Sequence, residues 1–278
     1  PLWLKIQKEE IQMRNLKRAL SLALAAIMLI GMMVVSASAA SYNDLTDKDQ
    51  IVNKDAVSML VSLGIIEGKP DGSYGPTENV DRAQMAKMLS VIMNKGVDNS
   101  ALYQSVNSGL TDITSHWAKG HINYCYTTGI IAGRGNGKFD PSATVTALEA
   151  AKMLLVAVGY DPAIEGFEGA DWAINVSVRA DEQGIFEGFT KDLSAPLNRD
   201  DAALLIYNAL DVEMIQSYTT NNYPIAYSDH RTILADKYGV IKVQGVVVAN
   251  EWASLASDDG DAALKEGKTT IYNGEGIF

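Results

Sequence analysis

The sequence predicts a mainly α-helical domain of three related helix–loop–helix units, followed by a partial β-rich region. Three observations carry this expectation. A glycine-bracketed apolar step occurs three times, as Gly64-Ile65-Ile66-Glu67-Gly68, Gly129-Ile130-Ile131-Ala132-Gly133 and Gly184-Ile185-Phe186-Glu187-Gly188. Around each step the same order returns: a first helical pattern, the step, a loop, a short apolar segment and a second helical pattern. Beyond Asp211 the helical period gives way to runs of β-branched residues.

The chain opens on the pattern of an export signal. Met13-Arg14-Asn15-Leu16-Lys17-Arg18 is basic, and Ala19 to Val35 is apolar apart mainly from Ser21 and Gly31. Ala37-Ser38-Ala39 then has the small-x-small form of a cleavage site, so residues 13–40 read as a signal peptide cut after Ala39 or Ala40. The apolar run of 17 residues lies at the short end of what crosses a bilayer, and the polar sequence from Ser41 favours removal over retention. No stable membrane span is therefore expected after cleavage. Residues 1–12 read as a non-native upstream extension.

Loss of residues 1–40 removes five basic and two acidic side chains, leaving 18 basic against 32 acidic and a net charge of −14. Such a chain is a poor general binder of nucleic acid or anionic lipid, so an anionic ligand requires a local basic spot. One cysteine, Cys125, excludes an internal disulfide, and with three histidines in the chain a zinc site is not expected. Asp71 and Asp140 sit in the loops, but the twelve-residue alternation of oxygen ligands that holds calcium is missing. No catalytic triad, His-Glu-x-x-His motif or assignable carboxylate pair stands out, so neither an enzyme nor a cofactor is expected.

The first unit spans 41–99. Gly64 falls where a C′ glycine ends a helix. The loop Gly68-Lys69-Pro70-Asp71-Gly72-Ser73-Tyr74 has an Asp-Gly turn with Tyr74 as an apolar plug. A second helix follows over Val80–Met93, with Asp81 as N-cap and Gln84 completing a capping box. The second unit spans 100–165. Its insertion around Asn94–Gly109 reads as surface loop. Ser115 is the expected N-cap of the first helix, on which Trp117, His121, Tyr124 and Cys125 share one face. Gly129 ends it, Asn136-Gly137 turns the loop, Phe139 plugs it, and Val145–Val158 forms the second helix with Thr146 and Glu149 as the capping box.

The third unit spans 166–215. Trp172 precedes Gly184 by the same 12 residues that separate Trp117 from Gly129, and Val52 takes that position in the first unit. Its loop lacks the glycine turn, and Leu197–Leu210 follows with Asn198 as N-cap and Asp201 approximating the box. Residues 216–278 read as a linker around Thr219-Thr220-Asn221-Asn222, one or two strands within Tyr238–Ala249, and a further strand at Lys268–Tyr272, as in a domain cut short. Units of about 50 residues bury little surface alone, so the three are expected to share one core.

The units resemble the S-layer homology (SLH) domain of Gram-positive cell-surface proteins. Thr111-Asp112-Ile113, His116-Trp117-Ala118 and Phe139-Asp140-Pro141 carry the likeness in the second unit, and Val80-Asp81-Arg82-Ala83-Gln84 in the first. Asp171-Trp172-Ala173 and Leu197-Asn198-Arg199-Asp200-Asp201 carry it in the third, the most divergent. The resemblance implies a pseudo-threefold domain that anchors a secreted protein to the cell wall, binding acidic, often pyruvylated, secondary cell-wall polysaccharide on peptidoglycan in grooves between lobes. It places the ligand-holding arginine at Arg82 and Arg199. Ala147 stands at that position in the second unit, so one groove is expected to be weak. Self-association in a surface layer, or anchoring of an extracellular hydrolase, are the alternatives for the parent protein.

The residue chemistry is compatible with that implication. Arg82 and Arg199 follow an N-cap directly, where free N–H groups favour an anion, and a guanidinium pairs both oxygens of a carboxylate. Lys69 and Arg134 lie in the loops and add positive field. Gly68 and Gly133 are expected to let a sugar approach the backbone. Against this stand simpler readings: an arginine there commonly pairs with a local acid, such as the adjacent Asp81 or Asp200. Trp117 and Trp172 are expected to pack in the core, Asp112, Gly64, Gly129 and Gly184 are motif positions, and His116 is expected to be a helix-start or interlobe hydrogen-bonding residue.

Overall fold

A computed structural model describes residues 41–243, 245–250, 268–272 and Gly274. The export signal lies outside the described residues. Among them, no helix is long and apolar enough to cross a membrane. Six helices form three pairs: α1 (Lys54–Ser62) with α2 (Arg82–Met93), α3 (Lys119–Thr127) with α4 (Ala147–Ala157), and α5 (Trp172–Glu182) with α6 (Arg199–Ala209).

Each first helix ends as its glycine requires. Gly64, Gly129 and Gly184 have φ of 69°, 78° and 70°, in the left-handed region. The Ile65 N–H returns to Leu60 O at 2.9 Å and the Ile185 N–H to Ala180 O at 2.8 Å, closing the helix end with main-chain bonds. Each second helix starts at its expected cap. Asp81 and Thr146 accept from the N–H of Gln84 and Glu149, whose side chains return the bond, while Asn198 accepts from Asp201 without reciprocation.

The pairs are interleaved in a closed ring. Helix α3 packs on α2, α5 on α4, and α1 on α6, so every first helix lies against the preceding lobe's second helix. At the centre, the three apolar segments before the second helices join hands through the main chain. Val80 N–H donates to Leu197 O at 2.8 Å, Leu197 N–H to Val145 O at 2.8 Å, and Val145 N–H to Val80 O at 2.9 Å. All three side chains are buried. The pseudo-threefold arrangement is thus written in hydrogen bonds, and a single core runs through the lobes from Leu60 and Leu89 to Ile122, Leu155 and Leu205. Tyr74 and Phe139 plug their loops as expected, at 1% and 0% exposure.

Four local expectations are corrected. The helix after Ser115 begins four residues later, at Lys119, and Ala118 takes the N-cap position without a side-chain cap. The Asn94–Gly109 insertion is more than surface loop: it includes a 3-10 turn at Ser100–Tyr103, and Asn123 Nδ2 ties it down through Tyr103 O and Val106 O at 2.9 and 3.0 Å. The supposed linker at Thr219–Asn222 is the turn of a hairpin between β1 (Ile215–Tyr218) and β2 (Pro224–Ala226). Finally, Tyr238 ends a helix, α7 (Ile233–Tyr238), closed by Gly239 at φ 64°, while β3 (Val246–Asn250) supplies a strand in the rest of that stretch, as expected. It pairs antiparallel with β4 (Thr269–Tyr272), within the segment expected to be extended.

The hairpin and α7 are bound to the ring. Ile215 N–H donates to Val158 O at 2.8 Å, Tyr218 Oη donates to Glu165 Oε1 at 2.9 Å, and Ile233 and Leu234 are buried in the shared core.

Candidate functional site

Two grooves of like construction open between the lobes, and each draws on all three. The lobe-two groove, with a cavity of about 360 Å³, combines Arg82 from lobe one, the Ile130–Arg134 step and α4 from lobe two, and Trp172 from lobe three. The lobe-one groove, about 220 Å³, combines Arg199 from lobe three, the Ile65–Lys69 step and α2 from lobe one, and Trp117 from lobe two. Along the helices the correspondence continues residue by residue: Glu149, Lys152 and Met153 line one groove where Gln84, Lys87 and Met88 line the other. The sequence-predicted Gly133 and Arg134 thus meet Arg82, while Gly68 and Lys69 meet Arg199.

The two arginines are built into their grooves in the same way. Arg82 is 4% exposed. Its Nε donates to Phe139 O and its Nη2 to Ala132 O, both at 2.8 Å, and the guanidinium lies 4.4 Å over the Phe139 ring. Arg199 repeats this with Nε to Tyr74 O at 2.8 Å, Nη2 to Glu67 O at 3.3 Å and the Tyr74 ring at 4.7 Å. Neither bonds to its adjacent acid. Asp81 caps α2, and Asp200 accepts the N–H groups of Val52 and Asn53. Burial pulls the Arg82 guanidinium down to about 10, assisted by Arg134 and opposed by Glu149, so it remains charged at neutral pH.

The remaining cations are placed by the same plan. Arg134 Nη2 meets Glu149 Oε1 at 2.7 Å. Lys152 donates to Phe167 O and lies 5.8 Å from the Trp172 ring; burial lowers its pKa, and Arg82 adds to that. In the lobe-one groove Lys69 pairs with Glu78, and Lys87 Nζ is 3.5 Å from Glu67 Oε2 at the rim.

The loop glycines serve the loops themselves. Both line the grooves, but a Cβ at Gly133 would come within 2.8 Å of Lys138 O, and one at Gly68 within 3.0 Å of Leu45 Cδ2. A side chain at Gly133 would strike the loop's own return, and one at Gly68 would crowd Leu45.

The core expectation holds for Trp172 and is corrected for Trp117. Trp117 is 56% exposed on the groove wall, because it precedes α3 instead of riding on it. Trp172, the first residue of α5, is half-buried and packs on the core with one face toward its groove. His116 does serve the helix start, its Nδ1 accepting from Ala118 N–H at 3.2 Å.

Asp112 organises the lobe-two loop by accepting the N–H groups of Phe139 and Asp140 at 3.0 and 2.8 Å. Asp47 does the same for Tyr74 and Gly75 at 2.7 and 2.8 Å. For both carboxyls burial acts to raise the pKa, but the main-chain donors prevail and hold it below the usual carboxylate value. Asp47 was missed in the sequence, although Thr46-Asp47 stands as far ahead of Tyr74 as Thr111-Asp112 does of Phe139. Lys87 and Lys152 were missed too; their equal offset from the N-caps Asp81 and Thr146 is the signal that finds them.

The third position departs throughout. Ala147 replaces the arginine, Leu204 the lysine and Val52 the indole, while Asp201 takes the place of Gln84 and is held by Lys191. This extends what Ala147 alone indicates.

Comparison with known proteins agrees with the architecture. Residues 41–86 and 109–151 match the S-layer homology domain, which covers parts of lobes one and two and leaves lobe three unmatched. A cell surface protein of Thermoanaerobacter kivui is 27% identical over 95% of this chain and 32% of its own length. A middle cell wall protein of Brevibacillus brevis is 27% identical over 86% of this chain and 22% of its own, and S-layer protein EA1 of Bacillus anthracis is 32% identical over 40% and 12%. The chain thus spans a third or less of the length of these relatives. Residues 41–86 and 109–151 thus carry S-layer homology sequence, and most of the chain is similar to a portion of cell-surface and cell-wall proteins, which places it at the cell surface.

Proposed function

We propose that the three-lobed domain is a non-catalytic anchor that binds an acidic secondary wall polysaccharide, and that lobe three is a diverged third SLH motif. The observation that carries this reading is the repeated groove: an arginine bonded to loop carbonyls, loop backbone, lysine, methionine and indole recur in two places. These cations gather in a chain of net charge −11, which otherwise repels polyanions. An indole face beside a cation suits a sugar ring bearing a carboxylate, the ring stacking while the charge is paired. Two grooves on one polymer add avidity.

Purified cell walls test the reading. The exported chain is expected to sediment with intact walls and to stay in solution with walls stripped of secondary polymer; equal retention by both would reject it. Replacing Lys87 and Lys152 together by Gln is expected to weaken retention about tenfold, the loss of roughly 1.4 kcal/mol of charge-assisted contact. Circular dichroism should report an unchanged fold, since both lysines are partly exposed. Self-association in a surface layer is a second reading, favoured by exposed Val246, Val247 and Tyr272 on β3 and β4. Sedimentation velocity at rising protein concentration checks it.

A further inference from the structure

We infer that the two grooves are not equivalent: the lobe-one groove takes the carboxylate-bearing sugar, the lobe-two groove takes a neutral one, and the difference is set by Gln84 against Glu149. The inference rests on the glycan reading above and assigns a specificity-determining position within it.

Gln84 and Glu149 occupy the same place. Each stands three residues after its N-cap and reaches back to the cap's N–H, Gln84 Oε1 accepting from Asp81 at 3.0 Å and Glu149 Oε2 from Thr146 at 3.1 Å. The capping bond fixes both side chains against the groove wall, so the two walls differ there by one charge. Glu149 is 15% exposed and uses its other oxygen on Arg134 at 2.7 Å. A carboxylate entering this groove meets a fixed carboxylate and finds the loop guanidinium already engaged. Glu168 adds a second acid to the same groove.

The cations differ in the same sense. Arg82 is almost fully buried, with two 2.8 Å bonds to carbonyls. Arg199 is only partly buried, and its Nη2 bond to Glu67 O is long, at 3.3 Å. Its guanidinium can turn that nitrogen to a ligand at little loss. The one acid lining the lobe-one groove, Glu67, is a rim residue with 69% side-chain exposure, where water screens it. Lys69 is paired with Glu78, which does not line the groove. Glu67 meets Lys87 at 3.5 Å on that rim, and the capping position on the groove wall holds a neutral amide, Gln84.

The grooves carry their own reporters, Trp117 in one and Trp172 in the other. The experiment titrates the exported chain with a pyruvylated disaccharide and with the same disaccharide lacking the ketal, following the indole N–H signals by NMR, assigned through Trp→Phe variants. With the pyruvylated sugar, Trp117 is expected to respond at a concentration at least tenfold below that for Trp172, and the ketal-free sugar to lose this preference. Gln84→Glu should weaken the Trp117 titration about tenfold, and Glu149→Gln should strengthen the Trp172 titration for the pyruvylated sugar. Both replacements keep a side chain able to close the capping box, so an unchanged melting temperature separates specificity from folding. Equal response of the two indoles, or exchanges that leave the order unaltered, overturns the inference while the glycan reading stands. Silence of both indoles toward either sugar overturns the glycan reading and the inference with it.

Discussion

Arg82 shows how one side chain serves two ends. Its place after an N-cap was legible in the sequence, and so was the suitability of a guanidinium for an anion. Its bonds across the lobe boundary to Phe139 O and Ala132 O were not, because they join segments about 50 residues apart that only the ring brings together. Arg82→Lys keeps the charge but cannot reproduce the fork, and leaves buried carbonyls unpaired. It is expected to destabilise the domain by about 2–3 kcal/mol, measured by urea unfolding. Asp112 has an acid-side signature. Its carboxyl is held below the usual value in the folded chain, so the stability it contributes is complete above the unfolded value near ~3.9 and is lost as pH falls through the lower folded value. Asp112→Asn should lower the melting temperature at neutral pH and flatten its fall below about pH 4.

At the level of the element, helices with strong caps were readable to the residue, and those without were not. Asp81, Thr146 and Asn198 start α2, α4 and α6 where their side chains dictate. The first helices have no such cap, and the equal spacing of Trp117 and Trp172 from their glycines conceals different starts. Helix α5 begins at Trp172, whereas the chain reaches α3 only at Lys119, where Gly120 lies so near Ser100 O that no side chain would fit. The groove role of Trp117 follows from that delay, and periodicity could not reveal it. Trp117→Ala is expected to lower wall retention severalfold with little change in melting temperature, because a half-exposed indole contributes little to the core; a large loss of stability would contradict this placement. The β-rich stretch was harder still. Strand and helix propensities overlap around Ile233–Ala249, and packing of Leu234 into the helical core decides the outcome.

Across the whole molecule, the triplicate glycine step made the three-lobed architecture legible, while the place where the domain stops was hidden. The repeat ends near Asp211, but the core does not: Val212, Ile233 and Leu234 belong to it. A chain of residues 41–215 is therefore expected to be less stable than one of 41–243. Burial of Ile233 and Leu234 alone stands for about 3–6 kcal/mol at the usual side-chain values, and the melting temperatures of the two fragments measure the difference. Cys125, fully buried in α3 with burial raising its thiol pKa, is expected to resist a thiol reagent in the native domain and to react in the same transition that changes indole fluorescence. Separate transitions would mean lobes that unfold singly.

The ring of main-chain bonds joining Val80, Val145 and Leu197 also bears on the order in which the domain closes. Two of its three links need Leu197, so neither can form before the last lobe is made, and the pairing spans most of the domain's length. High contact order of this kind slows folding. A polypeptide whose closing links wait for its third lobe therefore completes its ring only once nearly the whole domain is available.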